Sequence, residues 1–119
     1  MKKTLVFGAS LKPDRYSNLA IKRLVDNNIA TEAFGMKEGE TYGVQVKTNL
    51  QEFQNIHTVT LYMNPKRQQE FYNAIIGLNP KRVIFNPGTE NIEFQEILRN
   101  KNIEVEVACT LVLLATNQY

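Results

Sequence analysis

Apolar runs alternate with helical patterns from one end of this chain to the other. Residues 5–7, 58–63 and 83–85 are apolar or β-branched runs, which are typical of strands covered on both faces in a parallel sheet. A helical pattern follows each run, so the sequence predicts parallel strands joined by helical crossovers. We therefore expect residues 1–119 to form one α/β domain of three layers, Rossmann-like, with a mainly parallel, doubly wound sheet of five to six strands.

Local signals mark several element boundaries. Ser17 is predicted to cap a helix that ends near Asn28. The pair Asn64-Pro65 has a capping residue followed by proline at the first helical position, which indicates another helix start. Residues 35–43 read as a polar loop with three glycines. Residues 103–107 alternate between apolar and acidic side chains, which favours a strand at the sheet edge.

Four predicted strands end in small or turn-forming residues. These ends are Gly8-Ala9-Ser10, Phe34-Gly35, Met63-Asn64-Pro65 and Asn86-Pro87-Gly88. In doubly wound sheets, ligands bind at the carboxyl ends of the strands, where the chain order reverses. The sequence therefore predicts a ligand site along this edge.

The connection over residues 8–17 has features that suit a phosphate. A strand that turns into a helix directs unpaired backbone N–H groups and the positive end of the helix dipole towards one point. Lys12 and Arg15 add positive charge. Only Gly8 of the three glycines in a dinucleotide fingerprint is present, and no G-K-[S/T] follows it, so both motifs are absent. An ordinary, long turn remains the alternative.

Composition and charge exclude several other classes. The net charge of +2, from 14 basic and 12 acidic residues, is too small and too scattered to favour nucleic acid. No apolar run is long enough for a membrane span, and no signal peptide is recognised. The single cysteine, Cys109, and the single histidine, His57, leave no metal cluster and no catalytic set, so we predict neither. A reduced, cytoplasmic setting is expected.

Three segments together resemble a known family. Residues 6–17, with the letters VFGASLKPDRYS, are similar to the opening of small stand-alone CoA-binding proteins. Residues 83–91 resemble the later strand of that family, and residues 107–109 resemble its penultimate strand and following cysteine. The chain departs from the family pattern at residues 33–36 and at Asn86, where the family has glutamine. The resemblance implies a fold similar to the CoA-binding domain of the succinyl-CoA synthetase alpha subunit.

The resemblance also implies roles for individual residues. Gly8, Ala9 and Ser10 would approach the diphosphate, and Lys12 and Arg15 would meet phosphate groups. Phe34 and Gly35 would flank adenine, while Met63, Asn64, Pro87 and Gly88 would border the pantetheine arm. The remaining residues of the predicted cofactor-binding set are Tyr16 and Ser17.

The function implied is binding of CoA or an acyl-CoA by a non-catalytic carrier, sensor or adaptor. No general base is recognised near the predicted site, which favours a protein that is not an enzyme. An enzyme linked to NAD(P) or another nucleotide is one alternative, and a protein-interaction module on a vestigial Rossmann scaffold is another. The sequence identifies no protein partner.

Overall fold

One seven-stranded sheet forms the centre of the computed structural model, which describes residues 2–119. The strands are β1 (Thr4–Phe7), β2 (Thr31–Phe34), β3 (Gly39–Thr41), β4 (Val44–Lys47), β5 (Thr58–Leu61), β6 (Arg82–Phe85) and β7 (Glu104–Val107). Their order is β3-β4-β2-β1-β5-β6-β7, and only the β3–β4 pair is antiparallel. The mainly parallel α/β sheet and the edge position of β7 are confirmed, whereas the predicted count of five to six strands is wrong.

The strand missing from the prediction is β3, which lies inside the segment 35–43 that was expected to be a loop. It forms a hairpin with β4 through Tyr42 and Gly43, whose φ angles are 52° and 79°. Two-residue hairpin turns of this kind need positive φ at both positions. Tyrosine seldom adopts positive φ, so the hairpin carries no ordinary sequence signal.

Helices cover both faces of the sheet. They are α1 (Tyr16–Asp26), α2 (Pro65–Gln68), α3 (Tyr72–Gly77), α4 (Ile92–Asn100) and α5 (Thr110–Ala115). Successive side chains of a strand point to opposite faces. Val6 therefore packs in the core beneath α1 and α5, while Leu5 and Phe7 pack in the core beneath α3 and α4. Within residues 2–119 none of these helices has the length and hydropathy needed to cross a membrane.

The chain order reverses at β1, which pairs with β2 on one side and β5 on the other. Gly8 follows β1 and Tyr62 follows β5, and the Tyr62 N–H donates to the Phe7 carbonyl at 2.9 Å. The last residues of β1, β5, β6 and β7 are in register across the sheet. The reversal therefore creates a crevice beside Gly8 and Tyr62 at the carboxyl edge.

The two predicted helix starts have different outcomes. Asn64 caps α2 as expected, because its Oδ1 accepts the Arg67 N–H at 2.9 Å. The prediction that Ser17 caps α1 is wrong, since α1 begins at Tyr16 with Arg15 at the N-cap and no side-chain cap. The Ser17 Oγ instead accepts the Ser10 N–H at 3.1 Å and so holds the loop against the helix.

Candidate ligand-binding site

Two cavities open side by side at the carboxyl edge. The first, named the loop cavity, measures about 410 Å³ and is lined by residues 8–12, Arg15, Met36, Lys37, Tyr62, Met63 and Arg67. The second, named the strand-end cavity, measures about 380 Å³ and is lined by Gly8, Ser10 and residues 15–17, 62–64 and 87–89. Five residues line both cavities, so the two form one continuous site across β1, β5 and β6.

All the charged side chains that line the loop cavity are basic. Lys12, Arg15, Lys37 and Arg67 line it, and among the residues that the structure describes no carboxylate contributes to either cavity wall. None of the four cations belongs to an ion pair formed within residues 2–119. A concave surface lined by one sign of charge attracts ligands of the opposite sign. The loop cavity therefore suits a ligand with several negative charges.

The backbone N–H groups of the loop are arranged differently from the prediction. Gly8 and Ala9 both donate to the Phe34 carbonyl, at 2.9 and 2.8 Å. Ser10 donates to Ser17, and Lys12 donates to the Ser10 hydroxyl at 3.1 Å. These donors are thus satisfied inside the protein, and the expectation that the turn presents unpaired N–H groups is wrong for Gly8, Ala9 and Ser10.

Free N–H groups occur instead at the start of α1. The amides of Tyr16 and Ser17 have no acceptor among residues 2–119, and both residues line the strand-end cavity. First-turn N–H groups and the helix dipole together favour an anion. The donors available to a phosphate therefore belong to the 11-residue helix α1, next to the side chain of Arg15.

Phe34 and Gly35 lie behind the cavities and line neither of them. Phe34 is 3% exposed, and its ring packs against Phe7 and Phe71 with centroid distances of 4.7 and 5.6 Å. A Cβ atom on Gly35 would lie 2.3 Å from the Ala9 carbonyl oxygen. Both residues therefore shape the loop from beneath, and the buried Phe34 ring presents no open face to an adenine.

The other eleven residues of the predicted set line the cavities. Their contact with a ligand stays a prediction. Sequence reasoning missed Met36, Lys37, Tyr62 and Arg67. Met36, Lys37 and Arg67 follow predicted strand ends within a few residues and Tyr62 is the next-to-last residue of a predicted strand, so widening the search around those ends would have found them.

Tyr62 has the most unusual environment of the residues that were missed. It lines both cavities, yet its hydroxyl oxygen is buried and has no hydrogen-bond partner in the part of the chain that the structure describes. Burial raises the pKa of Tyr62 far above its ordinary value, so the phenol stays neutral. Tyr62 consequently adds an uncharged wall between the two cavities.

His57 lies at the opposite edge of the sheet, because it precedes β5 whereas the cavities follow that strand. Its N–H donates to the Lys3 carbonyl, and its Nδ1 lies 2.8 Å from the Thr58 hydroxyl. Burial and the nearby Arg82 charge lower the pKa of His57. The only histidine of the chain is therefore placed away from the candidate site. Among residues 2–119, no group of three metal-ligating side chains is clustered.

A mainly parallel sheet covered by helices on both faces, with a cationic cavity where the chain order reverses, is the architecture of a Rossmann-like domain. A sequence profile described as the CoA binding domain matches residues 2–115. The chain belongs to this CoA binding domain family. A search of curated proteins finds no match to this sequence.

Three solved structures share this fold. One, described as an uncharacterized protein, is 44% identical over 100% of this chain and 98% of its own, with a TM-score of 0.96. A hypothetical protein from Pyrococcus horikoshii OT3 is 23% identical over 98% of this chain and 83% of its own, with a TM-score of 0.87. A Thermus thermophilus protein is 19% identical over 99% of this chain and 90% of its own, also with a TM-score of 0.87. The last two show similarity of fold alone.

Proposed function

We propose that this protein binds CoA or an acyl-CoA across the carboxyl edge of its sheet and acts as a non-catalytic carrier, sensor or adaptor. The observation that carries the proposal is the loop cavity, where four cations have no ion-pair partner and meet no carboxylate among residues 2–119. CoA has a diphosphate and a 3′-phosphate, together about four negative charges at neutral pH. The charge of the ligand and the charge of the cavity are thus complementary.

The free amides of Tyr16 and Ser17 support a particular placement of the ligand. A phosphate at the start of α1 would accept both N–H groups and would lie beside Arg15. The remaining phosphates would meet Lys12, Lys37 and Arg67. This placement keeps the diphosphate close to the Gly8 turn, as the family resemblance implies, but assigns the hydrogen bonds to the helix.

An exposed apolar side chain supports the position of the adenine. Met36 is 66% exposed and lines the loop cavity beside Lys37. The methionine thioether makes favourable contacts with aromatic rings. We place the adenine against Met36, the residue that follows the buried Phe34-Gly35 pair.

The surroundings of the site support the non-catalytic role. Acid–base catalysis needs a titratable group within hydrogen-bond reach of the reacting atoms. His57 lies at the other edge of the sheet, and the Tyr62 phenol is held neutral. Incubation of acetyl-CoA with the protein, followed by chromatography, should show intact acetyl-CoA after many hours. Catalysed loss of the acetyl group would contradict the non-catalytic role.

Calorimetry with CoA, dephospho-CoA, NAD and NADP tests ligand identity. We expect CoA to bind most tightly and dephospho-CoA more weakly, because one phosphate is lost. We expect no binding of NAD or NADP, since the dinucleotide glycines are absent. Binding of NAD or NADP without binding of CoA would favour the nucleotide-linked enzyme. No binding of any of the four would favour the protein-interaction module.

Charge variants test whether the loop cavity is the place of binding. Lys12→Ala, Arg15→Ala and Arg67→Ala should each weaken CoA binding by about fivefold, since an exposed ion pair contributes up to about 1 kcal/mol. Lys66→Ala is the matched control, because Lys66 is exposed on the same helix as Arg67 but lines neither cavity. Equal weakening by Lys66→Ala would indicate a general charge effect instead of a site.

A further inference from the structure

A third cavity continues the site beyond β6. It measures about 260 Å³, is named here the apolar cavity, and is lined by Tyr16, Tyr62, Asn86, Pro87, Cys109 and Leu111. Tyr16, Tyr62 and Pro87 also line the strand-end cavity. The three cavities therefore form one path from the cationic loop, past the strand ends, to the start of α5.

The polar groups that line the apolar cavity are hydrogen-bonded within the protein or buried. The Asn86 Nδ2 donates to the Thr60 hydroxyl and the Leu61 carbonyl, at 2.7 and 2.9 Å, and its Oδ1 accepts the Thr110 N–H at 2.8 Å. Asn86 is 1% exposed, and the Tyr62 hydroxyl oxygen is buried. The surface left for a ligand is therefore mainly carbon and sulfur.

The side chains that line this cavity also leave apolar surface exposed to solvent. Tyr16 is 74% exposed although it lines both the strand-end cavity and the apolar cavity. Cys109 and Leu111, which line the apolar cavity too, are half-buried. An aliphatic group in contact with these side chains would remove apolar surface from water.

The distance between the two ends of the path follows from the spacing of the strands. Gly8 follows β1 and Cys109 follows β7 closely, and β1, β5, β6 and β7 are neighbours in register. Three strand spacings of about 4.8 Å span roughly 14 Å. The pantetheine arm has about twelve bonds between phosphate oxygen and sulfur, as many as four peptide residues, and also extends roughly 14 Å. A CoA whose diphosphate lies at Gly8 thus brings its sulfur to the apolar cavity.

We propose that the site prefers CoA thioesters of short aliphatic acyl groups, with the acyl chain in the apolar cavity. This inference rests on the proposed function. A cavity of about 150 Å³ holds benzene, so 260 Å³ accommodates the cysteamine end together with an acyl chain of about four carbons. The order of the cavities, from charged to polar to apolar, matches the order of groups along an acyl-CoA.

Calorimetry with CoA, acetyl-CoA and butyryl-CoA tests the inference. Each buried methylene contributes a factor of about four in affinity, so butyryl-CoA, with two more methylenes, should bind roughly fifteenfold more tightly than acetyl-CoA. Leu111→Trp fills much of the apolar cavity and should abolish this preference, while CoA itself keeps a measurable affinity because its phosphates bind elsewhere in the site. Leu111→Ala removes wall contacts without adding bulk, and should reduce the preference in a protein that keeps its fold.

Val112→Trp is the matched control, because Val112 is the next residue of α5, is 55% exposed and does not line the cavity. It should keep the butyryl preference. If CoA binds but the three ligands have equal affinity, the inference is overturned while the proposed function stands. It is also overturned if Leu111→Trp weakens the binding of all three ligands by the same factor, because the butyryl preference is then kept. If none of the three binds, the inference and the proposed function fail together.

Discussion

Replacing Gly35 by alanine tests how the loop is held in place. Gly35 is buried directly after β2, and a Cβ atom there would lie 2.3 Å from the Ala9 carbonyl oxygen and 3.0 Å from a Val46 methyl group. Cβ atoms in proteins essentially never approach another atom within 3.0 Å. Since the Ala9 oxygen belongs to the backbone, a rotamer change cannot relieve the contact. The loop must move away from β2, which weakens the hydrogen bonds from Gly8 and Ala9 to Phe34.

The expected loss of stability follows from two opposing effects. Overpacking at a buried position costs about 1–3 kcal/mol, and alanine restricts the unfolded chain enough to return about 0.4–1 kcal/mol. The net change in the free energy of unfolding is a loss of about 1–2 kcal/mol. With an unfolding entropy near 2.1 cal/mol/K per residue, 119 residues give a fall in Tm of about 4–8 °C.

Circular dichroism melts and CoA calorimetry on the same samples measure both consequences. CoA binding should weaken together with stability, because the displaced loop carries Lys12. Gly77→Ala is the control, since Gly77 ends α3 and a Cβ there meets no atom within 4 Å. Glycine in a helix is less stable than alanine, so this variant should melt at or above the parent temperature. A Gly35→Ala protein with the parent Tm and the parent affinity would refute the argument.

Two further substitutions have defined outcomes. Gly8→Val should lower Tm by several degrees and abolish CoA binding, because Gly8 has a φ of 97° and an added Cβ atom would lie 3.1 Å from the Tyr62 backbone. A folded variant that binds CoA with the parent affinity would place the ligand elsewhere. Tyr62→Phe should leave Tm at pH 7 unchanged or higher, since it removes a buried hydroxyl with no partner among residues 2–119. Because burial raises the pKa of Tyr62, the folded protein keeps this phenol protonated where the unfolded chain releases the proton, so the free energy of unfolding is unaffected below about pH 10 and falls as pH rises above it. Melts from pH 8 to 11 should therefore show a shallower fall for Tyr62→Phe, and a fall as steep as that of the parent would contradict this.

The apolar and β-branched runs and the turn residues between them predicted the parallel strands, because strands covered on both faces are rich in such side chains. The same reasoning located the carboxyl edge and placed Lys12 and Arg15 at a cavity. It failed for β3, whose turn depends on a tyrosine at positive φ that no composition rule anticipates. It also failed for Ser17, because a serine near a helix start can bond the preceding loop as readily as its own helix. The hydrogen-bond partner of such a serine depends on how the loop folds back against the helix, which residue spacing alone does not determine.

The Phe34 carbonyl accepts two N–H groups from the loop after β1, and this has a thermodynamic consequence for binding. The loop is ordered when the protein folds, so its conformational entropy is lost at that stage and a ligand need not order it again. The acceptor is a main-chain atom, so any side chain that fills the same core space at position 34 would preserve the preorganised loop. Residue 34 can therefore vary in evolution under selection for volume alone, while Gly35 cannot.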